Sequence, residues 1–265
     1  MSYILKRKTK AVFMNKLCIV TRNSGTYFVR RLTEEVRDIL LWDPWKQPEL
    51  PEAENFLVRT TSVYRDDRDL DLLKGTQKKV INPVETHELL RDKARQFSFL
   101  ERRGFHLIPW RLLNERGDFL PEKVLIKPVR GQGGWGIRMM ERGEFLEWER
   151  TTTDRDWIVQ PYLDDVREFR LFFCGHEEIL LERTGELAAN FSRGGEARVV
   201  KVPRELSELG DEIRDLTGAA YGAVDFFQRG NDHLILEINP VPGIEQLEKV
   251  TGQNIALKVL SLFSL

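Results

Sequence analysis

Two stretches of this chain carry residue types that could do chemistry together. In AVDFFQRGNDHLILEINP, two carboxylates and an amide recur on strand-like segments: Asp225, Glu237 and Asn239. Gly230-Asn231-Asp232 predicts a three-residue hairpin loop that pairs Arg229 with His233 and sets Asp225 opposite Glu237. That register puts Val224, Phe226, Leu234, Leu236 and Ile238 on one apolar face, and Asp225, Glu237 and Asn239 on the other. Oxygen ligands projecting from adjacent strands suit a hard cation, and this acid-plus-amide set suits Mg²⁺ held jointly with nucleotide phosphates. A solvated outer face would also explain acids here, but ILEIN is apolar enough to be central. A carboxylate buried there needs a cation.

The second stretch is VLIKPVRGQGGWGIRMM, Val124–Met140. A buried-looking strand ends in Lys127 and Pro128, then Gly131, Gly133, Gly134 and Gly136 follow within six residues. Glycines this dense cost backbone entropy and imply that something approaches the main chain closely. Backbone N–H groups left bare in this way hold phosphates. GQGGWG matches G-x-G-x-x-G, but a dinucleotide fingerprint needs a following helix. Gly136–Glu141 alternates like a strand instead. Strand, glycine flap, strand is the geometry of a loop folded over nucleotide phosphates. Trp135 within it either packs a closed lid or caps the hairpin.

Composition bounds what these stretches can belong to. The chain has 265 residues, 41% hydrophobic and 31% charged, with net charge −1. That describes a soluble globular protein of one to three domains. It argues against a nucleic-acid partner bound through phosphate neutralisation. No apolar run approaches the length of a membrane span, and MSYILKRKTK lacks the apolar region of a signal peptide, so no membrane partner is expected. The basic start reads as a tail or an extra strand. Cys18 and Cys174 lie in apolar runs as buried small hydrophobes, which suits a reducing cytoplasmic location. The four histidines have no zinc-ligand spacing.

The elements that must position these stretches follow from periodicity. Leu17–Thr21, Ile39–Trp42, Phe56–Val58 and Lys79–Ile81 read as strands, with Tyr27, Phe28, Leu32 and Val36 at helical spacing between the first two. Together they predict a small parallel α/β domain over 14–84, after a tail over 1–13. Asp43–Glu54 is a proline-bearing loop with no assigned role. Glu85–Arg103 reads as one helix stopped by Gly104. Trp157–Gln160 is a buried strand running into a hinge at Pro161-Tyr162-Leu163. Arg167–Gly175 alternates, with Glu168, Arg170 and Phe172 on one face, and Ile179–Glu182 is its hairpin partner. Asn190–Gly195 is a glycine loop, Pro203–Leu216 a helix, and Ile244–Val250 and Ile255–Phe263 two more.

Taken in order, IKPVRGQGGWGI, IVQPYL with REFRLFF, ANFSRGGEA, GAVDFF and LILEINPVPGIEQLEKVTGQNIA resemble the ATP-grasp superfamily. More narrowly they resemble its RimK-type, glutamate ligase-like carboxylate–amine ligases. The resemblance covers about Glu85 to the C-terminus. It implies an α/β (α+β) fold in which a central subdomain, 85–163, and a C-terminal subdomain, 164–265, clamp ATP. It implies that Lys93 and Lys127 contact phosphates under the Gly131–Gly136 flap. Gln160, Pro161, Tyr162 and Leu163 would form the adenine hinge, and Glu168 would hold the ribose. Asp225, Glu237 and Asn239 would bind two Mg²⁺ ions, with Mn²⁺ as a substitute. Arg170, Asn190 and Arg193 would face the phosphoryl group and the acid.

The implied partners are an amino acid such as glutamate and a carboxylate acceptor, which is a peptide, a protein tail or a metabolite. A homo-oligomer stays open. Amide formation needs an activated carboxylate, and ATP supplies activation as an acyl phosphate. Such a site needs positioning and charge neutralisation rather than a protein nucleophile. An ATP-grasp kinase acting on a hydroxyl and a non-catalytic ATP-binding regulator are the competing readings. A protein kinase is excluded, because neither H-R-D nor D-F-G follows the flap.

Overall fold

A computed structural model describes residues 16–63, 66–115, 121–184 and 196–264. The first four strands are β1 (Leu17–Val20), β2 (Leu40–Trp42), β3 (Asn55–Val58) and β4 (Lys79–Ile81), with helices α1 (Tyr27–Glu35) and α2 (Arg68–Leu73) between them. They form a parallel sheet in the order β2-β1-β3-β4. Every residue of β1 is buried, as expected of a strand covered on both faces. Leu17 and Ile19 pack with Phe28 and Leu32 of α1, while Cys18 and Val20 pack with Trp42, Phe56 and Leu70. The expected parallel sheet is therefore present; α2 went unread, because RDLDLL is only six residues long and half of them are charged.

Glu85–Arg103 is two helices rather than one: α3 (Val84–Leu90) and α4 (Lys93–Glu101). Asp92 breaks the run. It leaves helical geometry and caps α4 by accepting from the Arg95 N–H. The break turns Arg91 inward and makes Lys93 the first residue of a new helix.

After β5 (Arg111–Leu112), the flap strands β6 (Lys123–Pro128) and β7 (Arg138–Glu141) pair antiparallel. Helix α5 (Arg142–Thr151) and strand β8 (Trp157–Pro161) complete a sheet ordered β5-β8-β6-β7. Its outer face buries Val124, Ile126, Val159 and Phe145 in a small core of its own.

The third sheet is antiparallel, ordered β11-β10-β9-β12-β13. Its strands are β9 (Arg167–Cys174), β10 (Glu177–Thr184), β11 (Glu196–Val200), β12 (Tyr221–Arg229) and β13 (Asp232–Asn239). Helix α6 (Arg204–Thr217) covers one face through Leu206 and Ile213, which meet Leu171, Phe173 and Val224. It ends at Gly218, whose φ of 68° is the left-handed stop that glycine permits. Helices α7 (Glu245–Thr251) and α8 (Ile255–Ser261) fold back on the first sheet. One core thus joins Ile19 and Leu32 to Phe172, Tyr221, Ile255 and Val259.

Candidate active site

The acidic hairpin has the expected pairing, reached by a different route. Asp225 does stand opposite Glu237. Arg229, however, pairs with Asp232 rather than His233, so the turn is the two-residue Gly230-Asn231. A β-bulge beside Asp225 takes up the difference: Phe226 pairs with Ile235, and Leu236 is the extra residue. The bulge also corrects the apolar face. Leu234 and Leu236 turn away from Val224 and Phe226 and join Phe227, Val166, Ile108 and Leu163. They build an apolar wall on the acidic side of the sheet.

Register places Arg170 of β9 beside Asp225 of β12. The guanidinium holds the carboxylate through two hydrogen bonds, Nε to Oδ1 and Nη2 to Oδ2, each 2.5 Å. Burial alone would raise the Asp225 carboxyl, but Arg170 outweighs it and holds the group below its ordinary value. Burial likewise opposes the Arg170 charge, and Asp225 more than restores it. Glu237 lies 3.4 Å from Lys93 Nζ. Asn239 Oδ1 accepts from the Val241 N–H at 3.0 Å. Among the described residues no three His, Cys, Asp or Glu side chains lie together as a metal cluster. The candidate cation site is two carboxylates plus Asn239, all oxygen donors, and both carboxylates already attract protein cations here. That donor chemistry fits Mg²⁺.

Across the cleft, β6 alternates. Val124 and Ile126 enter the small core, and Leu125 and Lys127 face the acidic sheet. Lys127 Nζ donates to the Leu236 carbonyl at 3.3 Å and lies 4.8 Å from the Phe97 ring centroid. Burial pushes its ammonium down to about 7, with Glu237 opposing. Gln160 pairs with Leu125 on this same face and is 1% exposed. Neither its amide oxygen nor its nitrogen has a partner. An orphaned buried amide is costly and marks a place for a polar ligand edge. In the hinge, the Tyr162 N–H donates to the Lys123 carbonyl at 2.9 Å. Pro161 has no N–H to offer, and Leu163 contributes its side chain to the apolar wall. Glu168 lies on the acidic face against Arg183 at 2.9 Å. Burial raises its carboxyl to about 7, against the pull of Arg183.

The flap is drawn in at its base. Gly131 C=O accepts from Lys93 Nζ at 2.7 Å and from Ser62 Oγ at 2.9 Å, and Gln132 Nε2 donates to the Val241 carbonyl at 3.0 Å. The Lys93 N–H donates to the Val129 carbonyl at 3.0 Å. Gly136 has φ 79°, and a Cβ there would come within 2.8 Å of Pro128 Cγ, so only glycine fits the flap's return. Trp135 is 67% exposed at the tip.

Five expected groups therefore meet: Lys127 from the flap sheet, Lys93 from the start of α4, and Arg170, Asp225 and Glu237 from the acidic sheet. Asn190 and Arg193 lie outside the described residues. The sequence reading missed what the first sheet contributes. Thr60, Thr61 and Ser62, beyond the C-terminal end of β3, line the same cleft as Lys93, Glu237 and Asn239. Ligands gather at such strand ends in parallel sheets, so the hydroxyl run TTS was the available signal. Arg91 also went unread. It is 3% exposed and spans Asp69 and the Thr60 hydroxyl, with bonds of 2.6 Å to each. Asp67 then holds Arg130 at the flap base, at 3.0 and 2.6 Å.

A parallel α/β sheet backing two antiparallel sheets that face each other across a polar cleft is the ATP-grasp fold. D-alanine–D-alanine ligase from Bacillus anthracis complexed with ATP matches with a TM-score of 0.70 at 16% identity, over 93% of this chain and 94% of that one. A RimK domain protein from Sphaerobacter thermophilus matches with 0.70 at 17%, over 92% and 97%. The family model of the RimK-like ATP-grasp domain matches residues 92–263, and the chain belongs to that family. A protein of Enterobacter sp. (strain 638) named "Probable alpha-L-glutamate ligase" is 27% identical over 187 residues, 64% of this chain. The matched stretch spans 62% of that relative's length.

Proposed function

We propose that the chain is an ATP-dependent carboxylate–amine ligase that forms an amide through an acyl phosphate and releases ADP and phosphate. The observation that carries this reading is Lys93. It stands between the flap and the acids, 2.7 Å from the Gly131 carbonyl and 3.4 Å from Glu237. In this reading 85–163 and 164–265 are the two halves of the clamp. Gln160, with its orphaned amide, and the Leu163–Leu236 wall take the adenine, and Glu168 takes the ribose. Lys93, Lys127 and the flap amides of Gly131, Gly133, Gly134 and Gly136 take the phosphates. Asp225, Glu237 and Asn239 would hold up to two Mg²⁺ ions, which supply charge neutralisation at the phosphates.

The chain's own residues then position rather than react. Arg170, carried on Asp225, is aimed where charge gathers on the transferring phosphoryl group. Arg193 and Asn190 are assigned to the acid substrate. The carboxylate oxygen attacks the terminal phosphorus, the bond to ADP breaks, and the amine nitrogen then displaces phosphate from the acyl carbon with loss of a proton. The names of the relatives favour glutamate as the amino acid; the acceptor in this reading is a peptide, protein-tail or metabolite carboxylate, and the setting the cytoplasm.

Heavy-oxygen labelling tests the route. With the acceptor carboxylate labelled, one labelled oxygen is expected in the released phosphate. Unlabelled phosphate accompanying amide formation would exclude the acyl phosphate.

A further inference from the structure

Among the described residues, the strand that carries Glu237 and Asn239 has on its outer side only an isolated parallel bridge, Leu107 to Ile235, where the Ile235 N–H donates to the His106 carbonyl at 2.9 Å. Strand β13 is the outer strand of its sheet, next to β12 only. Its pairing is also interrupted by the bulge at Leu236, directly before Glu237. A bulge disrupts the ladder locally, and the outward N–H and C=O groups of an edge strand are costly to cover unless something else bonds them. Yet Glu237 and Asn239 must hold a fixed separation to serve as ligands together.

Two buried side-chain amides make up for the missing strand. Gln96 is 1% exposed. Its Oε1 accepts from the Ile238 N–H at 2.7 Å, and its Nε2 donates to the Ile238 carbonyl at 2.8 Å. One amide thus completes both outward groups of the residue lying between Glu237 and Asn239, as a paired strand would. A third bond, Nε2 to the Leu90 carbonyl at 3.1 Å, ties the same group to the end of α3. Asn82 makes the matching contact beyond Asn239. It is 0% exposed and donates Nδ2 to the Pro240 and Tyr221 carbonyls at 2.9 Å each, while its Oδ1 accepts from the Tyr221 N–H at 3.1 Å. The ligand-bearing segment is held on both sides of Asn239. Gln96 also lies one helical turn after Lys93, on the same helix, so α4 carries both the flap contact and the strand contact.

We propose that Gln96 is a positioning residue for the cation site: it fixes the spacing of Glu237 and Asn239 while touching neither cation nor nucleotide. The inference rests on the metal assignment made above. Its signature is a selective loss of cation affinity, because Gln96, although it borders the cleft, has its amide bonded to the Ile238 main chain between the two ligands. Outer residues that orient metal ligands typically contribute about 10- to 100-fold in affinity.

The test is Mn²⁺ binding, measured by titration of the full chain in the presence of ADP, beside ADP binding without metal. Gln96→Met keeps the length and burial of the side chain and removes its hydrogen bonds, and Gln96→Ala is the second variant. About a tenfold weaker Mn²⁺ affinity is expected in both, with metal-free ADP affinity changed less than about twofold. Gln96→Met with wild-type Mn²⁺ affinity, or with ADP and Mn²⁺ affinities falling in parallel, would overturn the inference while leaving the cation site standing. A wild-type chain that binds no Mn²⁺ would overturn the site and this inference together.

Discussion

The two walls of the cleft are built differently. The acidic wall is the sheet β11-β10-β9-β12-β13, which shares a continuous core with the first sheet and with α7 and α8. The flap wall is a smaller sheet whose core is Leu113, Val124, Ile126, Met140, Phe145 and Val159. Across the cleft they are tied by single hydrogen bonds, from Lys127 to the Leu236 carbonyl and from Gln132 to the Val241 carbonyl. Each such bond contributes about 1 kcal/mol. The difference teaches a division of labour. In the proposed reading, the groups that would have to keep fixed mutual geometry, Asp225, Glu237, Asn239 and Arg170, sit on the deeply cored wall. Those that would close over a ligand sit on the wall with the smaller, separate core.

Glu237→Gln strikes the acidic wall and carries the largest expected effect. Turnover should fall on the order of 100-fold or more, with the unfolding temperature close to wild type. ADP release at the wild-type rate would remove Glu237 from the site.

The contrast between the cores is sharpened by paired truncations. Phe226→Ala and Phe145→Ala each delete a fully buried ring, for about 3–5 kcal/mol. Phe226→Ala should lower global stability. Phe145→Ala should raise hydrogen exchange in 123–161 and leave β9 and β12 protected. Uniform exchange throughout Phe145→Ala would mean that the walls unfold as one.

Lys127→Met should weaken nucleotide binding about 10- to 100-fold, the worth of a charge-assisted contact in a buried place. The same lysine predicts a proton signature. Its ammonium sits at about 7 in the folded chain, lowered by burial from 10.5. Between those values the unfolded chain binds more protons, so this group's contribution to stability rises with pH across that window. Phosphate favours the charged form, so nucleotide binding above pH 7 should take up a proton. Calorimetry in two buffers of different ionisation enthalpy detects it, and Lys127→Met should abolish it.

The smallest expected effect belongs to Ser62→Ala, which removes one bond to the flap. It should cost about 0.5–1.5 kcal/mol and raise exchange at 130–134 alone.

Much of this was legible in the sequence where a local pattern decides the outcome. The flap strands, the parallel first sheet and the opposition of Asp225 to Glu237 all follow from alternation and glycine. The bulge at Leu236 was not legible, because a two-residue turn with one extra residue gives the same Asp225–Glu237 pairing as a three-residue turn. Nor was the break at Asp92, since apolar spacing runs on through Arg91. The buried partners Arg91, Gln96 and Asn82 carry no local signal of their burial. Their burial depends on groups far along the chain, Asp69, Ile238 and Tyr221, that no local window contains.

The central claim is tested most directly by incubating the purified chain with MgATP, a pool of amino acids and a pool of acidic acceptors, and following ADP together with product mass. A ligase gives ADP in step with a product whose mass is acceptor plus amino acid less one water. ADP formed with a phosphorylated hydroxyl compound instead, or no ADP with any pool, would contradict it.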